Sequence, residues 1–70
     1  MADLIMKFND AKMRALMGEL RLTNQKLSKI TGISYSYISE YRNGKRQPTL
    51  KVINKLIKAF GLEDYKIFFD

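Results

Sequence analysis

The basic side chains of this 70-residue chain are concentrated in its middle part. Residues 21–51 carry seven lysines and arginines against the single acid Glu40, whereas the segments on either side are each neutral. The formal net charge of +6 therefore lies entirely within residues 21–51. Clustered cations bind polyanions such as nucleic acid, so this segment has the electrostatic pattern of a polyanion-binding surface. A solvated basic face that keeps the protein soluble is the alternative that charge alone leaves open.

Two residue types that many enzymes use for chemistry are missing. The chain has no cysteine and no histidine, which excludes disulfides and thiolate metal sites and removes the commonest general base. We therefore expect no enzyme activity, no metal and no cofactor. The first residues contain acids and only a short apolar run, so we expect no signal peptide or membrane span and a cytoplasmic protein.

The elements that must position the basic segment are helices. Apolar residues at helical spacing predict helices at about 10–20, 24–31, 35–42, 49–60 and 62–69. The first four follow the capping residues Asn9, Thr23, Ser34 and Thr49, and glycines at 32, 44 and 61 end the second, third and fourth. Residues 67–69 would also suit a strand. The expected fold is therefore an all-α, compact five-helix domain that spans residues 1–70. Residues 1–8 are either an arm packed on the core or an extension of the first helix. Expected core positions include Leu20, Ile30, Ile38, Tyr41 and Leu50.

The second and third helices form the most specific local pattern. Thr23 caps the second helix, Gly32 ends it, and Ser34 caps the third helix after a tight turn. Two short helices joined in this way predict a helix-turn-helix, whose second helix can enter the major groove of DNA.

The residues around this turn resemble the Cro/repressor (XRE-like) family. The resemblance covers about residues 9–69 and is carried by T-x-x-x-L from residue 23, T-G-I-S from residue 31, Y-I-S from residue 37 and N-G-K-R-x-P from residue 43. It implies five helices, binding to double-stranded operator DNA, and a homodimer as in many phage and plasmid regulators. Three departures from the family pattern stand out. Asn24 replaces a glutamine, and Ser28 stands at the usual small residue inside the second helix but is still small enough for close packing. Arg42 and Met17 together replace an acid and the arginine that pairs with it. We expect the loss of that ion pair to free Arg42 for phosphate.

The resemblance places base readout on Tyr35, Ser36 and Glu40. Tyrosine can contact a thymine methyl, serine several base edges, and glutamate the amino group of cytosine. Two alternatives remain for Glu40, namely rejection of wrong sequences and neutralisation of nearby Lys45 or Arg42. Amides, hydroxyls and cations suit phosphate oxygens, which gives the expected DNA-backbone contacts Asn24, Gln25, Ser34, Tyr37, Ser39, Arg42, Asn43, Lys45 and Arg46. We expect Lys51, Lys55 and Lys58 to form an ordinary solvated helix face.

The C-terminal aromatic cluster has two interpretations. It comprises Tyr65, Ile67, Phe68 and Phe69. These residues either close the core over the fourth helix or form a dimer surface, because exposed aromatic clusters mark interfaces.

The sequence thus predicts a sequence-specific DNA-binding regulator, specifically a Cro-like repressor that acts by occupying its operator. The alternative of a different class is a protein-interaction module, such as an antirepressor or antitoxin component. No small-molecule ligand and no membrane partner are expected.

Overall fold

The computed structural model describes residues 7–69, and all of its regular structure is helical. Four α-helices follow one another along the chain: α1 (Asp10–Glu19), α2 (Asn24–Thr31), α3 (Tyr35–Arg42) and α4 (Leu50–Phe60). A 3₁₀ helix at Tyr65–Phe69 ends the described chain. The predicted bounds of the α-helices are correct to within one residue. The predicted arm at residues 1–8 lies largely outside the described residues, which leave out 1–6 and residue 70.

The fifth helix predicted at 62–69 is present only as the shorter 3₁₀ helix at Tyr65–Phe69, because residues 61–64 are used to end α4. Gly61 turns the chain with φ +71°, and the Leu62 N–H donates back to the Ile57 carbonyl. The Asp64 carboxylate then accepts from the Lys66 N–H at 3.0 Å. Only five residues remain in the helix that follows, a length at which the tighter 3₁₀ form is common.

Each α-helix begins at the capping residue that the sequence predicted. The side chains of Asn9, Thr23, Ser34 and Thr49 accept from backbone N–H groups three residues later, at 3.0 to 3.3 Å. These bonds satisfy donors that have no partner within the helix.

The turn between α2 and α3 is fixed by side chains as well as by a glycine. Gly32 ends α2 with φ +79°, a conformation that costs glycine little. The Ser28 hydroxyl donates to the Ile33 carbonyl at 2.6 Å, and the Thr31 hydroxyl accepts from the Ile33 N–H at 3.1 Å. Ile33 itself is buried. The angle between α2 and α3 is therefore set by hydrogen bonds and by packing.

One core joins all five elements. Its fully buried side chains are Met13, Met17, Leu27, Ile38, Leu56 and Phe68. Tyr41 is also buried, as predicted. Three predicted core positions were wrong: Leu20, Ile30 and Leu50 are 46%, 59% and 62% exposed, because the stripes they extend are wider than the surfaces that cover them.

The C-terminal aromatic cluster divides between the two interpretations. Phe68 is buried against Phe8 and Phe60, with ring centroids 5.0 and 6.0 Å away, so its assignment to a dimer surface was wrong. The Asn9 N–H donates to the Phe68 carbonyl at 2.7 Å, which ties the start of α1 to this segment. Tyr65 is exposed, whereas Ile67 and Phe69 are half-buried and pack against the core.

Candidate nucleic-acid interface

The first turn of α3 presents its side chains to solvent. Tyr35 is 56% exposed and Tyr37 46%, and Ser36 between them is also exposed. The opposite face of α3 carries Ile38 and Tyr41, which anchor the helix in the core. Burial raises the pKa of the Tyr41 phenol, so Tyr41 stays neutral at physiological pH. Two predicted base readers, Tyr35 and Ser36, thus lie at the outward-facing start of a rigidly held helix.

The third predicted base reader, Glu40, is engaged by an arginine. The Arg46 Nε donates to the Glu40 Oε1 at 2.5 Å, and the guanidinium carbon lies 4.6 Å from the centroid of the Tyr37 ring. The bond to Glu40 raises the pKa of Arg46, which keeps it fully charged. Neutralisation of Glu40, one of the alternatives that the sequence left open, is therefore present, but the cation is Arg46 and not Lys45 or Arg42.

The contact with Glu40 occupies only the Nε of Arg46. Within residues 7–69 the two Nη groups have no hydrogen-bond partner, since only Nε is used. A carboxylate behind the guanidinium and a ring beneath it hold the side chain in one orientation. The Nη groups can then bind a guanine edge or a phosphate.

The expectation that Arg42 is free was wrong, because Asn24 binds it. The Arg42 Nη1 donates to the Asn24 Oδ1 at 2.8 Å, and Arg42 is half-buried. This bond joins the start of α2 to the end of α3. Both residues were predicted to contact the DNA backbone, and the structure brings them together.

Sequence reasoning missed a contact between α1 and the end of α3. The Arg14 Nη1 donates to the Asp10 carboxylate and to the Arg42 carbonyl, each at 2.6 Å. The carbonyl belongs to the last turn of α3, where acceptors lack partners within the helix. The hydrogen bond from Arg14 also lowers the pKa of Asp10. The spacing of four residues between Asp10 and Arg14 was the available signal.

The remaining predicted backbone ligands lie at the edges of this surface. Ser34 caps α3. The Asn43 Nδ2 donates to the Ser39 hydroxyl at 3.5 Å. Gln25, Asn43 and Lys45 are exposed. The Lys45 N–H donates to the Glu40 carbonyl at 2.8 Å, which folds the basic loop back onto α3. The outward start of α3, the start of α2 and the loop at 43–46 therefore offer hydroxyl, amide and cationic groups.

A helix-turn-helix family model matches residues 13–66, so the chain belongs to the helix-turn-helix family of XRE-like regulators. This class consists of DNA-binding transcription regulators. Among solved structures, the restriction-modification controller protein C.AhdI from Aeromonas hydrophila is 31% identical, with a TM-score of 0.79. The match covers 97% of this chain and 100% of that chain. Comparison with curated protein sequences gives no match. None of the described helices could cross a membrane.

Proposed function

We propose that this protein is a sequence-specific regulator that binds double-stranded operator DNA through α3 and represses by occupying its site. The observation that carries the proposal is the cluster at α3, where exposed Tyr35 and Ser36 lie beside an arginine held by Glu40 and Tyr37. Base readout needs side chains that reach out from a rigid helix, and phosphate binding needs cations around them.

Sequence preference in this proposal comes from three side chains. Tyr35 and Ser36 contact base edges, and Arg46 reads guanine or fixes the helix on a phosphate with its free Nη groups. Glu40 acts on Arg46 by holding it in place. Tyr37 packs under the guanidinium and presents its hydroxyl to the DNA backbone.

Positioning on the duplex comes from amides and cations at the edge of the surface. Gln25 and the N-terminal amides of α2 face one phosphate group, and Asn43 and Lys45 another. Asn24 and Arg42 hold each other, so Arg42 reaches a phosphate while Asn24 keeps it oriented. Ser34 and Ser39 add hydroxyls on the same helix.

The test is selection of bound sequences from a random duplex pool, followed by salt titration of the selected site. Lys45→Ala should weaken binding to selected and random duplexes alike. It should also reduce the slope of log affinity against log salt concentration by about 1, for the lost phosphate contact. Lys66→Ala in the 3₁₀ helix is the matched control, and its slope should equal that of the natural protein. No enriched sequence, or an unchanged slope for Lys45→Ala, contradicts the proposal.

The proposed binding unit is a homodimer. An apolar groove of about 610 Å³ lies between the start of α4 and the 3₁₀ helix, and its described lining includes Pro48, Leu50, Ile53, Tyr65 and Phe69. Leu50 is 62% exposed and Tyr65 39%, so closing this groove against a second copy removes apolar surface from water. Two copies then place two α3 helices on successive half-sites.

A second candidate is favoured by the full-length similarity to C.AhdI. In that case the protein controls the genes of a restriction-modification system rather than acting as a Cro-like repressor. A reporter promoter that carries the selected site at several positions separates the two. Repression at every overlapping position supports occupancy alone, whereas activation from an upstream position supports a controller that also recruits polymerase.

A further inference from the structure

A groove between α2 and α4 has an exposed apolar centre and lies outside the proposed nucleic-acid surface. Ile30, on α2, is 59% exposed. It borders a groove of about 210 Å³ whose described lining is completed by Thr31, Lys55, Lys58 and Ala59. We call these five residues the Ile30 patch.

The charge around Ile30 has one sign. Lys55 and Lys58 line the groove from α4, and Lys26 and Lys29 lie on α2, four and one residues before Ile30. Within residues 7–69 no carboxylate pairs with any of these four lysines. Among the described residues, the patch therefore combines an exposed apolar side chain with two lysines that have no carboxylate partner, and two more lysines lie on the same helix as Ile30.

This composition does not suit the DNA backbone. A phosphate gains nothing from an isoleucine at the centre of its site, and covering Ile30 with a charged group would cost desolvation. Asn24 and Gln25 begin α2, whereas Ile30 lies six residues after Asn24, about 9 Å along the axis. The proposed nucleic-acid surface uses the other end of this helix.

We infer that the Ile30 patch binds an acidic peptide segment of a partner protein. An apolar side chain of that segment covers Ile30 and Ala59, and carboxylates on either side of it pair with Lys55 and Lys58. The apolar contact supplies affinity, and the charges supply orientation and association rate. A regulator bound to DNA through α3 would then keep this patch available for a second protein.

The test is a selection of phage-displayed random peptides against the folded protein, followed by fluorescence anisotropy with the individual labelled peptides. We expect enrichment of peptides that place leucine, isoleucine or phenylalanine between aspartates or glutamates. Ile30→Gln should bind these peptides about tenfold more weakly, because one apolar contact is lost. Lys55→Glu should weaken peptide binding by about as much or more, because the new carboxylate repels the acidic side chains of the peptide.

Lys51→Glu is the matched control, because it makes the same charge reversal one helical turn earlier on α4, at a residue outside the described lining of the groove. It should leave peptide binding within about twofold. Thermal unfolding confirms that each variant is folded, and Ile30→Gln should bind the selected duplex as the natural protein does. The inference is overturned if enriched peptides lack acids, if Lys51→Glu and Lys55→Glu weaken binding equally, or if duplex DNA displaces the peptides.

Discussion

At the scale of single residues, Glu40 is expected to affect base preference through Arg46. The carboxylate holds the Arg46 Nε, so Glu40→Gln should loosen the guanidinium and change preference at one base pair per half-site by about 5- to 100-fold. In an Arg46→Ala background the same change should have little effect. Affinities of the natural protein, both single variants and the double variant for single-base operator variants measure this coupling.

Two other outcomes have different meanings. If Glu40→Gln changes preference equally with and without Arg46, the carboxylate contacts a base directly. If it strengthens binding to every duplex by the same factor, Glu40 only opposes phosphate charge, and readout falls to Tyr35 and Ser36.

At the scale of elements, Arg14 joins α1 to the last turn of α3. Arg14→Ala should lower the Tm by a few degrees, because the Arg42 carbonyl loses a charged donor and Asp10 loses its partner. The pKa of Asp10 is lowered in the folded protein, so its ionised carboxylate stabilises the fold. This stabilisation is fully present above the ordinary pKa of 3.8 and is lost as the pH falls through the folded-state pKa. The Tm difference should therefore be constant near neutral pH and should narrow at acid pH.

Arg14→Lys is the matched control for this contact, since it keeps the charge but has one donor group in place of the planar guanidinium. It should fall between the natural protein and Arg14→Ala. Equal Tm values for all three proteins at neutral pH would show that the contact contributes nothing to stability.

The 3₁₀ helix is expected to be part of the core through one side chain. Phe68→Ala removes a fully buried ring that contacts Phe8 and Phe60, and this should cost about 3–5 kcal/mol and at least about 12 °C in Tm. Lys66→Ala, in the same helix but exposed, should change the Tm by no more than a few degrees. Similar Tm values for the two variants, measured by circular dichroism, would contradict this role.

At the scale of the whole molecule, Leu50 and Tyr65 are expected to hold the two copies of the proposed homodimer together. Leu50→Glu places a charge in the apolar groove, so it should leave the monomer folded and lower the apparent mass in sedimentation from dimer to monomer. Affinity for the full operator should fall by at least about tenfold, while affinity for a half-site stays the same. Glu63→Gln, an exposed change outside the described lining of the groove, is the control.

A Leu50→Glu protein that sediments as the natural protein does would rule out this groove as the interface. A loss of half-site affinity would show instead that Leu50 supports the fold of the DNA-binding surface.

The sequence by itself determined the local features of this protein. Capping residues and helix-ending glycines act within one turn of the chain, so the limits of α1 to α4 could be read from Asn9, Thr23, Ser34 and Thr49. The motifs around residues 23–48 identified the helix-turn-helix family, because the turn needs Gly32 and a capping serine at fixed spacing.

Only the tertiary structure decided which residues meet across elements. Ile30 and Phe68 both looked like core residues, yet one is exposed and the other fully buried, since burial depends on what packs against a face and not on the face itself. The sequence also did not show that Arg46 pairs with Glu40 or that Asn24 binds Arg42, because loop 43–46 folds back onto α3 and Asn24 comes from another helix. Contacts between residues distant in sequence depend on the angles between helices, which the packed core determines and the pattern within each helix does not.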